Sequence, residues 1–206
     1  MKVLGLYSGK RHSIGPKLSP TGIYKKPRDV VELNTLGIID DVQVDKRFHG
    51  GPERALHQFS LQSYQRIIQR FPLLYKSALP GSIGENIVVE KMNEDNVCIG
   101  DIYAVGTVIL QVSGPRIPCW KIDEKFKQPK LQLFIRQYQL SGWYFRVLKN
   151  GQISIDDEFK LLERPQAKLS IRYFLSQIDI QPKTAIFIEQ IKHATELDPD
   201  WLHKLL

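Results

Sequence analysis

The sequence predicts a largely β domain followed by a short helical segment. Short apolar runs rich in Val, Ile and Tyr recur as far as Leu162, separated by Gly, Pro and Asn turns, which is how strands are punctuated. Beyond Pro165 the spacing changes to that of amphipathic helices. Nothing approaches the roughly 18 consecutive apolar residues that would cross a bilayer as a helix. The start, MKVLGLYSGK, lacks a long apolar run ending at a small-residue cleavage site, so a cytoplasmic protein is expected.

Val3 to Tyr7 reads as the first strand. Residues 8–28 form a long loop rich in Gly, Pro, Ser and basic side chains, interrupted at most by a short strand near Gly22-Ile23-Tyr24. Loops of that length inside a compact domain are commonly functional. Val30 to Leu33 returns to a sheet, and Leu36 to Asp41 turns the chain. Ser60 caps a helix in which Tyr64, Ile67, Ile68 and Phe71 share a face, and Pro72 limits it. Ile87 to Val89 is strand-like, and a long β run from Ile102 to Val112 bends at Gly106. A second helix is expected over residues 129–140, with Pro129 at its start. Trp143 to Leu148 reads as a strand turning at Asn150-Gly151, and Phe159 to Leu162 closes the sheet. Three short helices then open near Ser170, Lys183 and Asp198. The boundary is placed near Arg164, dividing the chain into residues 1–163 and 164–206.

At 206 residues, 42% hydrophobic and 25% charged, the chain can bury a core without metal or disulfide staples. Its two cysteines, Cys98 and Cys119, cannot make a disulfide framework, and Cys98 sits between Val97 and Ile99 as a packing residue. Lys and Arg outnumber Asp and Glu by 29 to 22, a net +7 that suits nucleic acid, an anionic surface or a phosphate-bearing ligand. From Arg164 onward charge is nearly balanced, so the surplus belongs to the β part. There it is spread among loops, which fits a ligand pocket at least as well as a nucleic-acid footprint.

Two stretches carry candidate chemistry. The strand ending at Val112 leads into Ser113-Gly114-Pro115-Arg116-Ile117-Pro118-Cys119-Trp120-Lys121, where two prolines exclude a helix and a sheet interior. This fixed segment presents one thiol between Arg116, Trp120 and Lys121. A thiolate is both nucleophile and soft metal ligand, and the competing reading is an inert packing cysteine. In residues 45–58, DKRFHGGPERALHQ, the Gly50-Gly51 amides lie beside Lys46, Arg47, His49, Arg54 and His57, which makes a candidate anion nest or an ordinary turn. Glu85 and Asn86 either bond a ligand or fix their own turn. Phosphate-loop, dinucleotide, zinc and nucleophile-elbow motifs are absent. A Cys–His hydrolase using Cys119 with His49 or His57 stays open. Pattern alone reaches a β domain with an electropositive, cysteine-containing pocket.

The ordered fragments carry more. Tyr7-Ser8-Gly9-Lys10, Lys46 through His49-Gly50-Gly51-Pro52-Glu53-Arg54-Ala55-Leu56-His57 and Gly84-Glu85-Asn86 are followed by Gly100-Asp101. Then come Gln111-Val112-Ser113, Pro115 through Lys121, and Gly142-Trp143. In this order they resemble the MOSC domain family, and within it the bacterial branch of the hydroxylaminopurine-reducing protein, over roughly residues 1–163. The tail resembles that branch's three-helix extension.

The resemblance implies a twisted, mainly antiparallel β-barrel with a few peripheral helices and a small all-helical C-terminal appendage. It implies molybdenum bound to molybdopterin as cofactor, with Cys119 as the metal ligand, and reduction of N-hydroxylated compounds by electrons from a separate reductase. Some of Lys10, Arg11, Lys46, Arg47, Arg54 and the Gly50 and Gly51 amides are the expected holders of the cofactor's phosphate, with Arg116 pairing with the same anion or shaping the pocket. Asn86 would orient a polar group, Trp120 would wall the pterin pocket or simply close the core, and His49 or His57 would supply charge or a proton. A homodimer is plausible, since the helical tail has apolar faces to bury. Two readings compete with the enzyme: a cofactor carrier without turnover and, further behind, a basic RNA-associated protein.

Overall fold

The computed structural model describes residues 1–44 and 50–206. Strands β1 (Val3–Ser8), β2 (His12–Ile14), β3 (Ser19–Thr21), β4 (Lys26–Arg28), β5 (Val30–Asn34) and β6 (Gly37–Ile38) open the chain. Next come β7 (Leu56–Gln58), helix α1 (Leu61–Arg70), β8 (Ile87–Val89), β9 (Ile102–Val105) and β10 (Val108–Pro115). Helices α2 (Lys121–Phe126) and α3 (Leu131–Gln137) precede β11 (Trp143–Lys149), β12 (Gly151–Ser154) and β13 (Lys160–Glu163). The tail holds α4 (Ile171–Gln177), α5 (Ala185–His193) and α6 (Pro199–Leu205).

Eight strands form one curled sheet, a half-barrel in the order β13-β9-β10-β11-β7-β8-β1-β4. This is the mainly β fold with peripheral helices that the sequence implies. Neighbours run antiparallel except β7 and β8, which meet in parallel at Gln58 and Ile87. Two smaller sheets, β12-β5-β6 and the β2-β3 hairpin, sit beside it.

The short strand allowed near Gly22-Ile23-Tyr24 is not formed. Residues 8–28 instead make three short strands, of which β2 and β3 pair with each other and β4 extends the main sheet at β1. Helix α2, absent from the sequence reading, follows directly on the Cys119 segment. Helix α3 begins at Leu131, not at Pro129, because Lys130 takes a left-handed conformation (φ 67°) and Asp123 accepts from the backbone N–H groups of Lys130 and Gln132. Ser60 caps α1 as expected, its side chain accepting from Ser63 N at 3.1 Å.

Two apolar cores organise the chain. The larger fills the half-barrel with Leu6, Leu56, Leu110, Trp143 and Phe145, and continues without a break into Phe174, Phe187, Ile191 and Trp201 of the tail helices. The smaller joins α1, α2 and α3 to the β2–β3 region through Ile14, Ile23, Phe59, Ile67, Ile122 and Ile135. Buried Asp101 ties barrel to tail, accepting from Cys98 N and Tyr103 Oη at 2.9 Å each and from Arg164 Nε and Nη2 at 2.8 and 2.7 Å.

Candidate cofactor cleft

Strand β11 assembles the site because it pairs on both sides. Tyr144 lies opposite Gly114 of β10 and opposite His57 of β7, and Arg116 N donates to Gly142 O at 3.2 Å just beyond the ladder. Residues 56, 57 and 58 alternate faces, so Leu56 enters the barrel core while His57 turns the other way, its ring 5.5 Å from that of Tyr144. The result is one cleft lined by Cys119, His57, Arg54, Asn86, Arg116, Lys25, Asp41, Lys121 and Tyr144. Cys119 is a free, partly exposed thiol in its wall.

Charge in the cleft is mostly positive. Arg116 is only 6% exposed and has no ion-pair partner among the described residues. Lys25 is buried against Asp41 and its ammonium is pulled below the usual lysine range by desolvation, which the Asp41 carboxylate only partly offsets. Behind them Lys125 donates to Ile23 O at 3.0 Å and Ser82 O at 2.6 Å. Burial, with Arg116 and Lys25 nearby, brings its pKa down to about 8. Arg54 reaches the cleft from the turn at Pro52–Arg54, its Nε bonding Asp198 at 2.9 Å and its Nη2 bonding Asp200 at 2.5 Å. The first residues of α6 therefore brace a cleft wall.

The sequence candidates divide. Cys119, His57, Arg54, Asn86 and Arg116 meet in the cleft. Lys10 and Arg11 are exposed and lie outside its lining. Neither Gly50 nor Gly51 lines it, and the Gly51 N–H donates to Gln43 Oε1 at 3.1 Å, so that amide is not offered to an anion. Trp120 is 49% exposed and stands at the rim against Gly15 rather than walling the pocket. Lys46, Arg47 and His49 lie outside the described residues.

Asn86 is at the wall but its amide is spent on the fold. Its Oδ1 accepts from His57 N at 3.1 Å, and its Nδ2 donates to Tyr7 O at 3.2 Å and Asp41 Oδ2 at 2.9 Å. It orients His57 and Asp41 and not a ligand directly. Glu85 likewise closes its own turn, accepting from Tyr64 Oη and Gly81 N at 2.6 Å each, and burial pushes its pKa up. Sequence reasoning missed Lys25 and Tyr144. Tyr144 was legible only as part of a strand, and which face it uses depends on pairing with β7. Lys25 had no local signal separating it from the other loop cations.

Gly142 holds this geometry. Its φ is 69°, and a Cβ there would run into Gln58 O of β7 and come within 3.1 Å of His57 Nε2. Gly142→Ala is expected to cost about 2 kcal/mol or more, because the colliding atom is backbone and the conformation is left-handed. Thermal unfolding checks this, and a midpoint matching the parent would refute it.

Among the described residues no cluster of three or more His, Cys, Asp or Glu side chains could hold a metal ion. An organic group carrying its own donor atoms would complete a metal site at Cys119 without such a cluster. A lone thiol facing buried cations fits such a ligand when it is anionic and brings its own donors.

The MOSC domain profile matches residues 45–160, and the chain belongs to the MOSC family. A reductase of Gibberella moniliformis is 39% identical over 165 residues, covering 79% of this chain; the chain spans only 29% of that protein's length. Within the family it falls in the YiiM-like branch. The crystal structure of YiiM from Geobacillus stearothermophilus superposes with a TM-score of 0.82 at 29% identity, covering 100% of this chain and 99% of the other. YflK of Bacillus subtilis is 33% identical over 204 residues, covering 97% of this chain and 90% of that one. No helix among the described residues is long and apolar enough to cross a membrane.

Proposed function

We propose that this chain is a molybdenum-cofactor oxidoreductase that reduces N-hydroxylated compounds. The observation that carries the reading is the pairing, in one cleft, of the Cys119 thiol with a buried Arg116 that has no ion-pair partner among the described residues. Within the fold the guanidinium has the Tyr144 hydroxyl and the field of buried Glu85, and a bound anion would supply the close charge partner that a buried guanidinium favours. Family membership and a relative called a reductase support the redox assignment.

When bound, the molybdenum–pterin group supplies two-electron redox chemistry that no side chain here can provide. Cys119 would be its protein ligand, and Arg116, with Lys25 and Arg54 beside it, would hold the phosphate. His57 Nε2 lies 3.4 Å from Ser141 O, and its ring stands in the cleft wall beside Tyr144. The overall reaction consumes two electrons and two protons, breaks the N–O bond and releases an amine and water. The electrons come from a separate donor protein.

The test is metal and pterin analysis of protein made in a cofactor-competent host, with turnover of benzamidoxime by reduced methyl viologen. Stoichiometric molybdenum and pterin with amidine product is expected. Absence of both, with cofactor supply confirmed and the protein folded, would sink the reading. Bound cofactor that passes to an acceptor enzyme without benzamidoxime reduction would make the chain a carrier.

A further inference from the structure

We propose that the surface formed by the β2–β3 hairpin and the adjoining Trp120 is the docking site for an acidic electron-carrier protein. The proposal rests on the reductase reading above and assigns the route by which electrons arrive.

Residues 9–28 contain Lys10, Arg11, Lys17, Lys25, Lys26 and Arg28 and not one carboxylate. Those six cations compare with a whole-chain surplus of +7, so outside this stretch the charges nearly balance. Lys25 turns inward onto Asp41, while the other five are exposed. The carboxylates on neighbouring α2 do not oppose them: Asp123 accepts from Lys130 N and Gln132 N, and Glu124 pairs with Lys127.

Inside this positive field lies exposed apolar surface. Leu18, in the hairpin turn, is 72% exposed, and Trp120 lies against Gly15 of the same hairpin. Lys121 Nζ donates to Pro20 O at 2.8 Å, joining the hairpin to the cysteine segment. The surface also begins where the cleft wall ends. Thr21, Gly22 and Ile23 line the cleft, and Trp120 is the residue after Cys119. A docked carrier would therefore sit directly over the cleft in which the reaction runs.

Cations around a small apolar centre are what a transient redox encounter needs. Opposite charge steers the approach, and a modest apolar contact lets the complex part again. A single-stranded nucleic acid would use the same cations with Trp120 and Tyr24 as stacking platforms, and the RNA arm of the test separates the two; continuity with the reaction cleft favours the carrier. The carrier, a reduced flavoprotein or iron–sulfur protein with an acidic rim, is oxidised by two electrons per substrate. Solvent supplies the two protons, and the N–O bond breaks to give amine and water.

The probe is flavodoxin, an acidic flavin carrier, and the variant is Lys17→Glu/Leu18→Ser/Lys26→Glu. Calorimetry at low ionic strength should show flavodoxin binding to the parent and roughly 10-fold or greater weakening in the variant, with a flatter salt dependence. Benzamidoxime turnover driven by reduced flavodoxin should show the same loss in KM for the carrier, while turnover driven by methyl viologen stays within about twofold. Unchanged flavodoxin binding, or no binding to the parent at low salt, overturns the proposal. So does a variant that loses a single-stranded RNA oligonucleotide while keeping flavodoxin. Viologen turnover missing from the parent would strike the reductase reading instead, and calorimetry would still decide the docking surface by the same criterion.

Discussion

Cys119→Ser is expected to leave the fold intact, strip the protein of molybdenum and lower N-hydroxyl reduction by more than about 100-fold. Groups that merely support a metal ligand are worth about 10- to 100-fold, so the ligand itself should exceed that range. The thiol is partly exposed in the cleft wall and belongs to neither apolar core, which is why its loss should not unfold the chain. Metal analysis, turnover with reduced methyl viologen and a thermal melt on the same preparation separate these effects. A serine variant that keeps both metal and turnover would remove Cys119 from the mechanism. A Cys98→Ser control should keep both, because Cys98 is buried beside the tail, its Sγ 3.7 Å from Ala167 O.

The largest stability loss is expected at Asp101, far from any chemistry. Asp101 is fully buried and accepts four hydrogen bonds, two of them from Arg164. Removing one partner of a buried pair costs about 3–5 kcal/mol. Arg164 is partly exposed and recovers some of its solvation, which favours the lower end. Against that, Cys98 N and the Tyr103 hydroxyl would be left unpaired in the core, restoring about 1–3 kcal/mol of cost. In a chain of this length about 3 kcal/mol corresponds to roughly 10 °C in Tm. Asp101→Ala should show that shift. Asp101→Asn, which keeps the shape and one acceptor, should lose less. A shift under about 2 °C for the alanine variant would show that the network is not holding tail to barrel.

Asp101 also illustrates what was legible. Its place in Gly100-Asp101 before a β run marked a turn in an ordered set of fragments, but not the partner Arg164, which lies 63 positions away. Ser60, the strand at Trp143 and the tail helices were readable because their signals are local: a cap, an alternation, a helical face. Helix α2 was not. It has six residues directly after a proline-bearing segment, and it forms because Ile122 is buried in the second core while Asp123 satisfies N–H groups of the next helix. The same limit applies to the cations. Lys10 and Lys25 look alike in sequence, yet one is exposed and the other lies buried against Asp41.

The sequence by itself determined a mainly β chain with a helical tail, a cysteine held on a proline-stiffened segment, and the family to which both belong. Each of these follows from periodicity, caps, turn residues and the order of short motifs, which are properties of neighbours along the chain. The tertiary structure decided which candidates share a cleft. Strand β11 enters between β10 and β7, bringing Arg116 and His57 to one place, and α6 reaches back to brace Arg54. Whether a charged side chain faces a ligand, a carboxylate or water depends on contacts between residues 16 to 144 positions apart, and such contacts leave no local trace.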